Sequence, residues 1–253
     1  MPHRITSREG IQWKDAPMSE PTDTFVFTYK DHFVDIRSYK TPTATQTVFP
    51  FDWAFYGEVV RPADGSEPTY THTIDSRYIN ALATLGEEKA QIYLLPDNVN
   101  TVENEQGDEV EVGEMLNPDT MDIEKFVEIW RPLHPLHGSQ KTPIGRAELC
   151  EHDFSDDEKT NCLVLLIETD GFKGKLIKIG SWTQAFLQDT SVDGTAGLTA
   201  VRAAKIDGTN EWKHLVSWGA FTDSVPVGSD IYAQFDGVGA SVTVNKLIWK
   251  RIL

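Results

Sequence analysis

The chain has 253 residues, of which 40% are hydrophobic, and it carries a formal net charge of −16. This length fits one large domain or two of ordinary size, and so acidic a surface disfavours binding to nucleic acids or to anionic membranes. The longest apolar run, residues 162–167, is far shorter than the ~18 residues that cross a bilayer, so no membrane span is predicted.

Strand patterns dominate the first half of the chain. Residues 24–29 alternate aromatic with smaller side chains, which places their rings on one face of a strand. A polar turn at residues 30–32 separates this strand from a second one at residues 33–37. Further strands are predicted over residues 69–74, 90–95 and 109–112.

The second half repeats this arrangement. A strand at residues 163–169 is followed by a turn at Asp170-Gly171 and a strand at residues 175–179. Asp-Gly is a strong hairpin signal because both central residues of a type I′ turn need a positive φ. Short strands that end at Gly, Pro, Asn or Asp are typical of antiparallel meanders. The remaining predicted strands are residues 213–218, 231–235 and 241–252.

Helical patterns are few. Residues 122–127, 181–187 and 196–204 could each form a short helix. The best pattern lies at residues 195–205, where apolar side chains recur at near-helical spacing, and such a helix would cover the end of a barrel. We therefore predict an all-β fold with little helix.

Aromatic landmarks recur in the same order along the chain. Similar segments end in Trp13, Trp130 and Trp249, and the segment around Trp53 matches the segment around Trp182. We interpret this as a duplicated β domain whose copies differ by insertions. The alternative is a chance alignment of tryptophans.

A proline-containing connector separates the two copies. Residues 131–143 include three prolines and one glycine, a composition that indicates an extended segment. The predicted domains are an N-terminal β domain over residues 1–136 and, over residues 137–253, the connector with a C-terminal β domain.

The cysteines and the N-terminal residues indicate the compartment. Cys150 and Cys162 have no partners at motif spacing, which suits free thiols in a reducing compartment. No apolar stretch follows the charged N-terminal residues, so no signal peptide is predicted. We expect a cytoplasmic protein, with the nucleus as a second location.

Four sequence blocks, three of them rich in aromatic residues, carry a family resemblance. They are residues 49–57 (FPFDWAFYG), 126–132 (FVEIWRP), 177–187 (IKIGSWTQAFL) and 197–202 (GLTAVR). Together, and in this order, they resemble the fungal HRI family, which is named for interaction with a casein kinase I-type kinase. The resemblance covers nearly the whole chain from about Trp13 onward.

The resemblance implies two tandem calycin- or lipocalin-like antiparallel β-barrels without an established catalytic activity. The closed barrel comes from the resemblance alone, because alternation and hairpins equally allow open sandwiches. The family name also implies a protein partner, a casein kinase I-type kinase. The resemblance supplies no catalytic residues to transfer.

The aromatic blocks also supply the candidate binding residues. Trp53, Phe55, Trp182 and Phe186 are candidates for lining a barrel interior or a ligand cavity. Residues 180–182 match the Gly-x-Trp motif of lipocalin barrels but follow the second strand of their domain rather than the first. Core packing is the competing interpretation, since a small barrel can hold one small apolar ligand or be filled by side chains.

Two histidine patterns favour ordinary structural roles. His134 and His137 have no Cys or carboxylate at a ligand spacing, so a solvated connector is favoured over a metal site. His32, flanked by Asp31 and Asp35, has the composition of a base with an orienting carboxylate. Its place in a predicted hairpin favours a polar turn.

Ser155 precedes three acidic residues, a pattern that acidophilic kinases modify, and it is a candidate phosphorylation site. No nucleophile elbow and no Gly-rich phosphate loop occur in the sequence. We therefore predict no catalytic residue, metal site or cofactor.

Three hypotheses about function follow. The first is a non-enzymatic adaptor or interaction protein, monomeric or homodimeric, with the kinase as partner. The second is a carrier or sensor of a small apolar ligand in a barrel cavity. The third is an enzyme of isomerase or cyclase type, which would need a perturbed carboxylate or histidine inside a cavity.

Overall fold

Two antiparallel sheets follow each other along the chain in the computed structural model, which describes residues 3–63, 69–94, 98–138, 141 and 160–253. Within these residues, nine strands form the first sheet and seven form the second. The predicted all-β class is therefore confirmed. No helix in this part of the chain is long and apolar enough to span a membrane.

The first sheet is curled. Its strands pair in the order β5-β4-β3-β2-β1-β9-β8-β7, with β6 paired to β4. Tyr70 on β5 and Val99 on β7 line one cavity, so the two ends of the sheet approach each other. The elements are β1 (Arg4–Trp13), β2 (Thr22–Tyr29), β3 (His32–Tyr39), β4 (Phe51–Val60), β5 (Thr69–Tyr70), β6 (Ile74–Asp75), α1 (Ser76–Leu85), α2 (Glu87–Ala90), a 3-10 turn (Gln91–Leu94), β7 (Asn98–Glu103), β8 (Glu109–Asn117) and β9 (Asp122–Pro132).

The second sheet pairs in the order β14-β13-β12-β11-β10-β16-β15. Its hairpin between β10 and β11 turns at the predicted Asp170-Gly171, where Gly171 has a φ of 77°. The elements are β10 (Leu163–Ile167), β11 (Phe172–Ile179), β12 (Trp182–Asp189), a 3-10 turn (Gly194–Gly197), β13 (Leu198–Lys205), β14 (Trp212–Trp218), a 3-10 turn (Thr222–Ser224), α3 (Ser229–Tyr232), β15 (Ser241–Val244) and β16 (Leu247–Arg251).

The two sheets share one strand order. In each, five strands joined in sequence are flanked on one side by the last strand of that half and its hairpin partner. Trp130 on β9 and Trp249 on β16 therefore lie on corresponding strands. Trp53 lies on β4, whereas Trp182 lies on β12, the counterpart of β3. The predicted correspondence of Trp53 with Trp182 is wrong by one strand.

A shared core, the inter-sheet core, joins the two sheets. The first sheet contributes the side chains that point away from its cavity. The second sheet contributes the side chains on the face that it turns towards the first sheet. The two halves therefore share this core, while the second sheet also has a core of its own. The central members of the inter-sheet core are Phe25, Phe27, Ile36, Ile177, Trp182 and Phe186.

Polar side chains of the second sheet also bind the first sheet across this core. Gln184 donates through Nε2 to the carbonyl oxygens of Phe25 and Val34, at 3.0 and 2.8 Å. Arg202 donates to Gln184 Oε1 at 2.7 Å and to the carbonyl of Ile36 at 2.7 Å. Burial lowers the pKa of Arg202 to about 10, which leaves its guanidinium charged at neutral pH. These bonds fix how the sheets face each other.

The other face of the second sheet is filled by its own side chains. Val225, Tyr232 and Phe235, from the segment between β14 and β15, pack with Leu176 and Trp249. The indole of Trp249 is fully buried and donates to the carbonyl of Ser224 at 2.8 Å. This interior is a packed core.

Several predicted segments are corrected. Residues 122–127, 181–187 and 195–205 belong largely to strands β9, β12 and β13 and are not helical. Both faces of β12 and β13 are buried, so apolar residues do not alternate with polar ones along these strands. Their apolar spacing therefore resembles that of a helix although the segments are strands. Residues 90–94 and 231–235, predicted as strands, form helical turns.

Helix α1 was not predicted. It begins after Asp75, whose carboxylate accepts from the amide of Tyr78 at 3.0 Å and thereby caps the first turn. Ser76 binds the amide of Ala54 on β4 through Oγ at 2.9 Å. These two contacts hold the start of the helix against the first sheet, near the cavity that Tyr70 and Val99 line.

Candidate functional site

A cavity of about 300 Å³ lies inside the curled first sheet. Eight strands or their connections contribute to its wall, from β1 to β9. Tyr70, which is 42% exposed, and Thr101 are exposed lining residues on β5 and β7. We place the mouth of the cavity between these two ends of the sheet.

Strand alternation brings charged and aromatic side chains into the wall. On β3, Phe33, Asp35 and Arg37 share the inward face, while Val34 and Ile36 point to the inter-sheet core. Alternation also places side chains of β8 and β9 in the wall. These are Glu109, Glu111 and Met115 on β8, and Phe126, Glu128 and Trp130 on β9. The wall therefore combines aromatic rings with ionisable groups.

A buried ionic network forms the base of the wall. Arg37 donates from Nε and Nη2 to Asp35 Oδ2, at 3.0 and 2.9 Å. Glu128 accepts from Arg8 Nη1 at 2.5 Å and lies 3.5 Å from Arg37 Nη1. The guanidinium of Arg37 also lies 4.7 Å from the ring centre of Trp53 and 5.8 Å from that of Trp130. Charge pairing and cation–π contacts thus hold Arg37 in one place.

The network shifts the titration of its members. Burial raises the pKa of Asp35, and the nearby Arg37 only partly counteracts this effect. Burial acts to lower the pKa of Arg37, but the charges of Asp35 and Glu128 outweigh it, so this pKa is raised. The second oxygen of Asp35, Oδ1, is buried and receives no hydrogen bond from the described residues.

Glu111 is the second unusual carboxyl group of the wall. Its Oε2 accepts from Trp130 Nε1 at 3.0 Å. Burial, reinforced by repulsion from Glu128 and Glu109, raises the pKa of Glu111 to about 7. A carboxyl group that titrates near neutral pH inside a cavity is a frequent property of binding and catalytic sites.

We expect Glu111 to lower the stability of the fold as pH rises from about 4.5 to 7. In the folded chain Glu111 keeps its proton up to about pH 7, whereas its ordinary pKa is 4.5. Unfolding therefore releases a proton in this window, and the free energy of unfolding falls as pH rises. Urea unfolding of Glu111→Gln should show a smaller fall over this window. Equal slopes in both proteins would contradict this assignment.

A second set of polar contacts lies behind the aromatic wall. Trp53 stacks on Phe55 with ring centres 4.2 Å apart and donates through Nε1 to Asp75 Oδ2 at 3.0 Å. His72 lines the cavity, and its Nδ1 lies 2.7 Å from the same carboxylate oxygen. Asp75 therefore orients the indole of Trp53 while it caps α1, and its carboxylate lies beside the imidazole of His72.

The four predicted binding residues lie in two different places. Phe55 lines the cavity, and Trp53 supports it from behind. Trp182 and Phe186 pack in the inter-sheet core and line no part of this cavity. Their strand, β12, turns residues 182 and 186 towards the first sheet, so these two side chains have the packing role that was the competing interpretation.

The histidine patterns are structural in the described part of the chain. His134 is buried, contrary to the expected solvated connector, and its Nδ1 accepts from the amide of Leu136 at 3.1 Å. His32 Nδ1 lies 3.2 Å from Lys175 Nζ of the second sheet, on the face of β3 opposite Asp35. No group of three His, Cys, Asp or Glu side chains suited to a metal ion occurs among the described residues. Ser155 lies outside them.

Sequence reasoning missed Asp35, Arg37, Glu111 and Glu128 as site residues. A signal was present, since charged residues share a strand face with aromatic ones on β3 and β9. That pattern is unusual for a strand with one dry face. The wall contains a carboxyl group with a raised pKa, that of Glu111, which is a feature that the enzyme hypothesis requires.

Comparisons with known proteins agree with this fold. A family model described as Protein HRI1 matches residues 4–252. Protein HRI1 of Saccharomyces cerevisiae strain ATCC 204508 / S288c is 26% identical over 231 residues, which cover 87% of this chain and 86% of the relative; the same protein of strain YJM789 gives the same values. The crystal structure of the uncharacterized Saccharomyces cerevisiae protein YLR301w is similar with a TM-score of 0.78 at 21% identity, covering 100% of this chain and 99% of that chain.

Proposed function

The chain belongs to the Protein HRI1 family, and we propose that it binds a small organic molecule in the cavity of the first sheet. The observation that carries this proposal is the contrast between its two halves. The second sheet fills its interior with Tyr232, Phe235 and Trp249. The first sheet encloses about 300 Å³ instead, a volume at the lower end of small-molecule sites.

The energetics of the wall support a binding role. Buried charges lower stability unless they are paired, and hydrophobic replacements often stabilise a protein more. Arg8, Arg37, Asp35 and Glu128 are all buried. The interior face of the second sheet is lined mainly by apolar side chains instead, so the ionic network is a feature of the cavity wall and not of the shared strand order.

An adaptor role with a casein kinase I-type kinase is a second proposal. It is supported by the family name and by the net charge of −16, which attracts basic partners. Recovery of such a kinase at near-equal amounts in a pull-down from cell extract tests it, and repeated failure to recover one contradicts it.

A cavity-filling substitution tests small-molecule binding. Val99 lines the cavity on the edge strand β7, so the indole of Val99→Trp should occupy part of its volume. Wild-type protein incubated with a small-molecule extract should retain ligands that native mass spectrometry detects. We expect Val99→Trp to retain them with at least about tenfold lower affinity, a change of about 1.4 kcal/mol.

Val102→Trp is the matched control. Val102 lies on the same strand, points away from the cavity and is 60% exposed, so this variant should retain the same ligands as wild type. Equal retention by all three proteins, or no retained molecule in wild type, would refute the proposed function. Thermal unfolding of each variant shows whether the substitution has damaged the fold.

A further inference from the structure

Charges on the cavity wall do not balance. The wall carries four carboxyl groups and two guanidinium groups, from Asp35, Glu109, Glu111, Glu128, Arg4 and Arg37. A third guanidinium, that of Arg8, reaches Glu128 from beside the cavity, but it is shared with Glu20 at 2.7 Å. Above about pH 7, where Glu111 is ionised, a molecule that enters the cavity therefore meets an excess of negative charge.

Two of these carboxyl groups have acceptor capacity left. Arg4 pairs with Glu109, and Arg37 uses only Oδ2 of Asp35. Asp35 Oδ1 remains buried without a donor, and no described cation forms an ion pair with Glu111. A buried acceptor without a partner is costly, and a charged donor satisfies it best.

Aromatic rings complete a wall suited to a cation. Phe33, Phe55, Phe126 and Trp130 line the same cavity. The faces of such rings attract positive charge. The guanidinium of Arg37 already uses this property, since it lies 5.9 Å from the ring centre of Phe55.

We propose that the cavity selects a small organic amine in its protonated form, with the ammonium at Glu111 and Asp35 and an apolar body against the rings. This inference rests on the proposed function and narrows its ligand class. An ammonium offers three donors, which suits the two incompletely paired carboxyl groups. A purely apolar ligand, the alternative considered from the sequence, would leave Asp35 Oδ1 unsatisfied, and an anion would be repelled.

Matched probes test the charge preference. Titration calorimetry at pH 8 compares three primary amines (butylamine, 2-phenylethylamine and tryptamine) with the alcohols of the same carbon skeletons and with 3-phenylpropanoate. We expect at least one amine to bind about tenfold or more tightly than its alcohol, and the carboxylate to bind least. Glu111→Gln should weaken amine binding by about tenfold or more while it leaves alcohol binding nearly unchanged, as expected for loss of a charge-assisted contact.

Glu114→Gln is the charge-matched control. Glu114 lies on the same strand, β8, but is exposed on its outer face, so this variant should bind amines like wild type. Equal affinity for amine and alcohol, or no binding of any of the three amines, would overturn the amine preference. Neither result touches the proposed function, which the Val99→Trp comparison tests with unselected ligands.

Discussion

Arg37→Met should lower the free energy of unfolding by about 3–5 kcal/mol at neutral pH, the usual loss when one partner of a buried ion pair is removed. The guanidinium of Arg37 is the direct partner of Asp35 and lies near Glu128. Methionine fills a similar volume but brings no charge, so two buried carboxylates lose compensation. Urea unfolding monitored by tryptophan fluorescence measures the change.

The pH dependence of this variant distinguishes lost charge from lost packing. Without Arg37, Asp35 should hold its proton to higher pH, because the group that counteracts burial is gone. The variant should therefore regain part of its stability as pH falls towards 5. A deficit that is the same at pH 5 and pH 7 would show that packing, and not charge, accounts for it.

Two further variants serve as controls for Arg37. Arg61 pairs with Asp31 at the surface, where both side chains are well exposed, so Arg61→Met should cost at most about 1 kcal/mol. Adding Asp35→Asn to Arg37→Met should restore part of the lost stability, because the amide needs no counter-charge. If the double variant is less stable than Arg37→Met, the ionic network does not work as described.

The ionic network couples stability to ligand chemistry. Arg37 holds Asp35 through Oδ2 alone, and Oδ1 has no donor among the described residues, so the group that stabilises the wall also leaves an acceptor on a residue that lines the cavity. Strain or incomplete pairing of this kind is typical of functional sites. Among the described residues, the interior of the second sheet is filled by its own side chains, and we propose that this half supports the first sheet through the inter-sheet core.

A strand could be predicted from the sequence where its two faces lie in different environments, because its side chains then alternate in polarity or size. Residues 24–29 alternate because one face of β2 meets the inter-sheet core and the other meets the polar cavity. The turn at Asp170-Gly171 could be predicted because a tight hairpin turn requires residues that adopt a positive φ. On β12 and β13 both faces are buried, so the alternation vanishes and a helical period emerges by accident.

The candidate site was predictable only in part for a related reason. Phe55 could be found from its aromatic block, since burial of a large ring leaves a local signature. That Asp35 and Glu111 line one cavity could not be predicted, because β3 and β8 are separated along the chain by four strands and two helices. Their place in one wall is a property of sheet order and curl, which residue spacing does not encode.

Trp182→Ala should be about as damaging as Arg37→Met, with a loss of about 3–5 kcal/mol. Trp182 is 1% exposed, and its ring centre lies 5.6 Å from that of Phe25 across the inter-sheet core. Its Nε1 donates to the carbonyls of His134 and His137, at 3.3 and 3.0 Å. Truncation therefore leaves a cavity between the sheets and removes the donor that fixes the connector. Denaturant unfolding followed by circular dichroism measures the loss.

Ligand binding separates a packing role of Trp182 from the ligand-lining role considered for it. Because its side chain lies in the inter-sheet core and not in the cavity, Trp182→Ala should bind any cavity ligand with wild-type affinity below its unfolding transition. Trp53→Ala should weaken binding, since Trp53 supports both Phe55 and Arg37. Trp13→Ala, at a partly exposed indole, should cost less stability than either. A Trp182→Ala protein that stays stable but loses its ligand would place the binding site between the sheets instead.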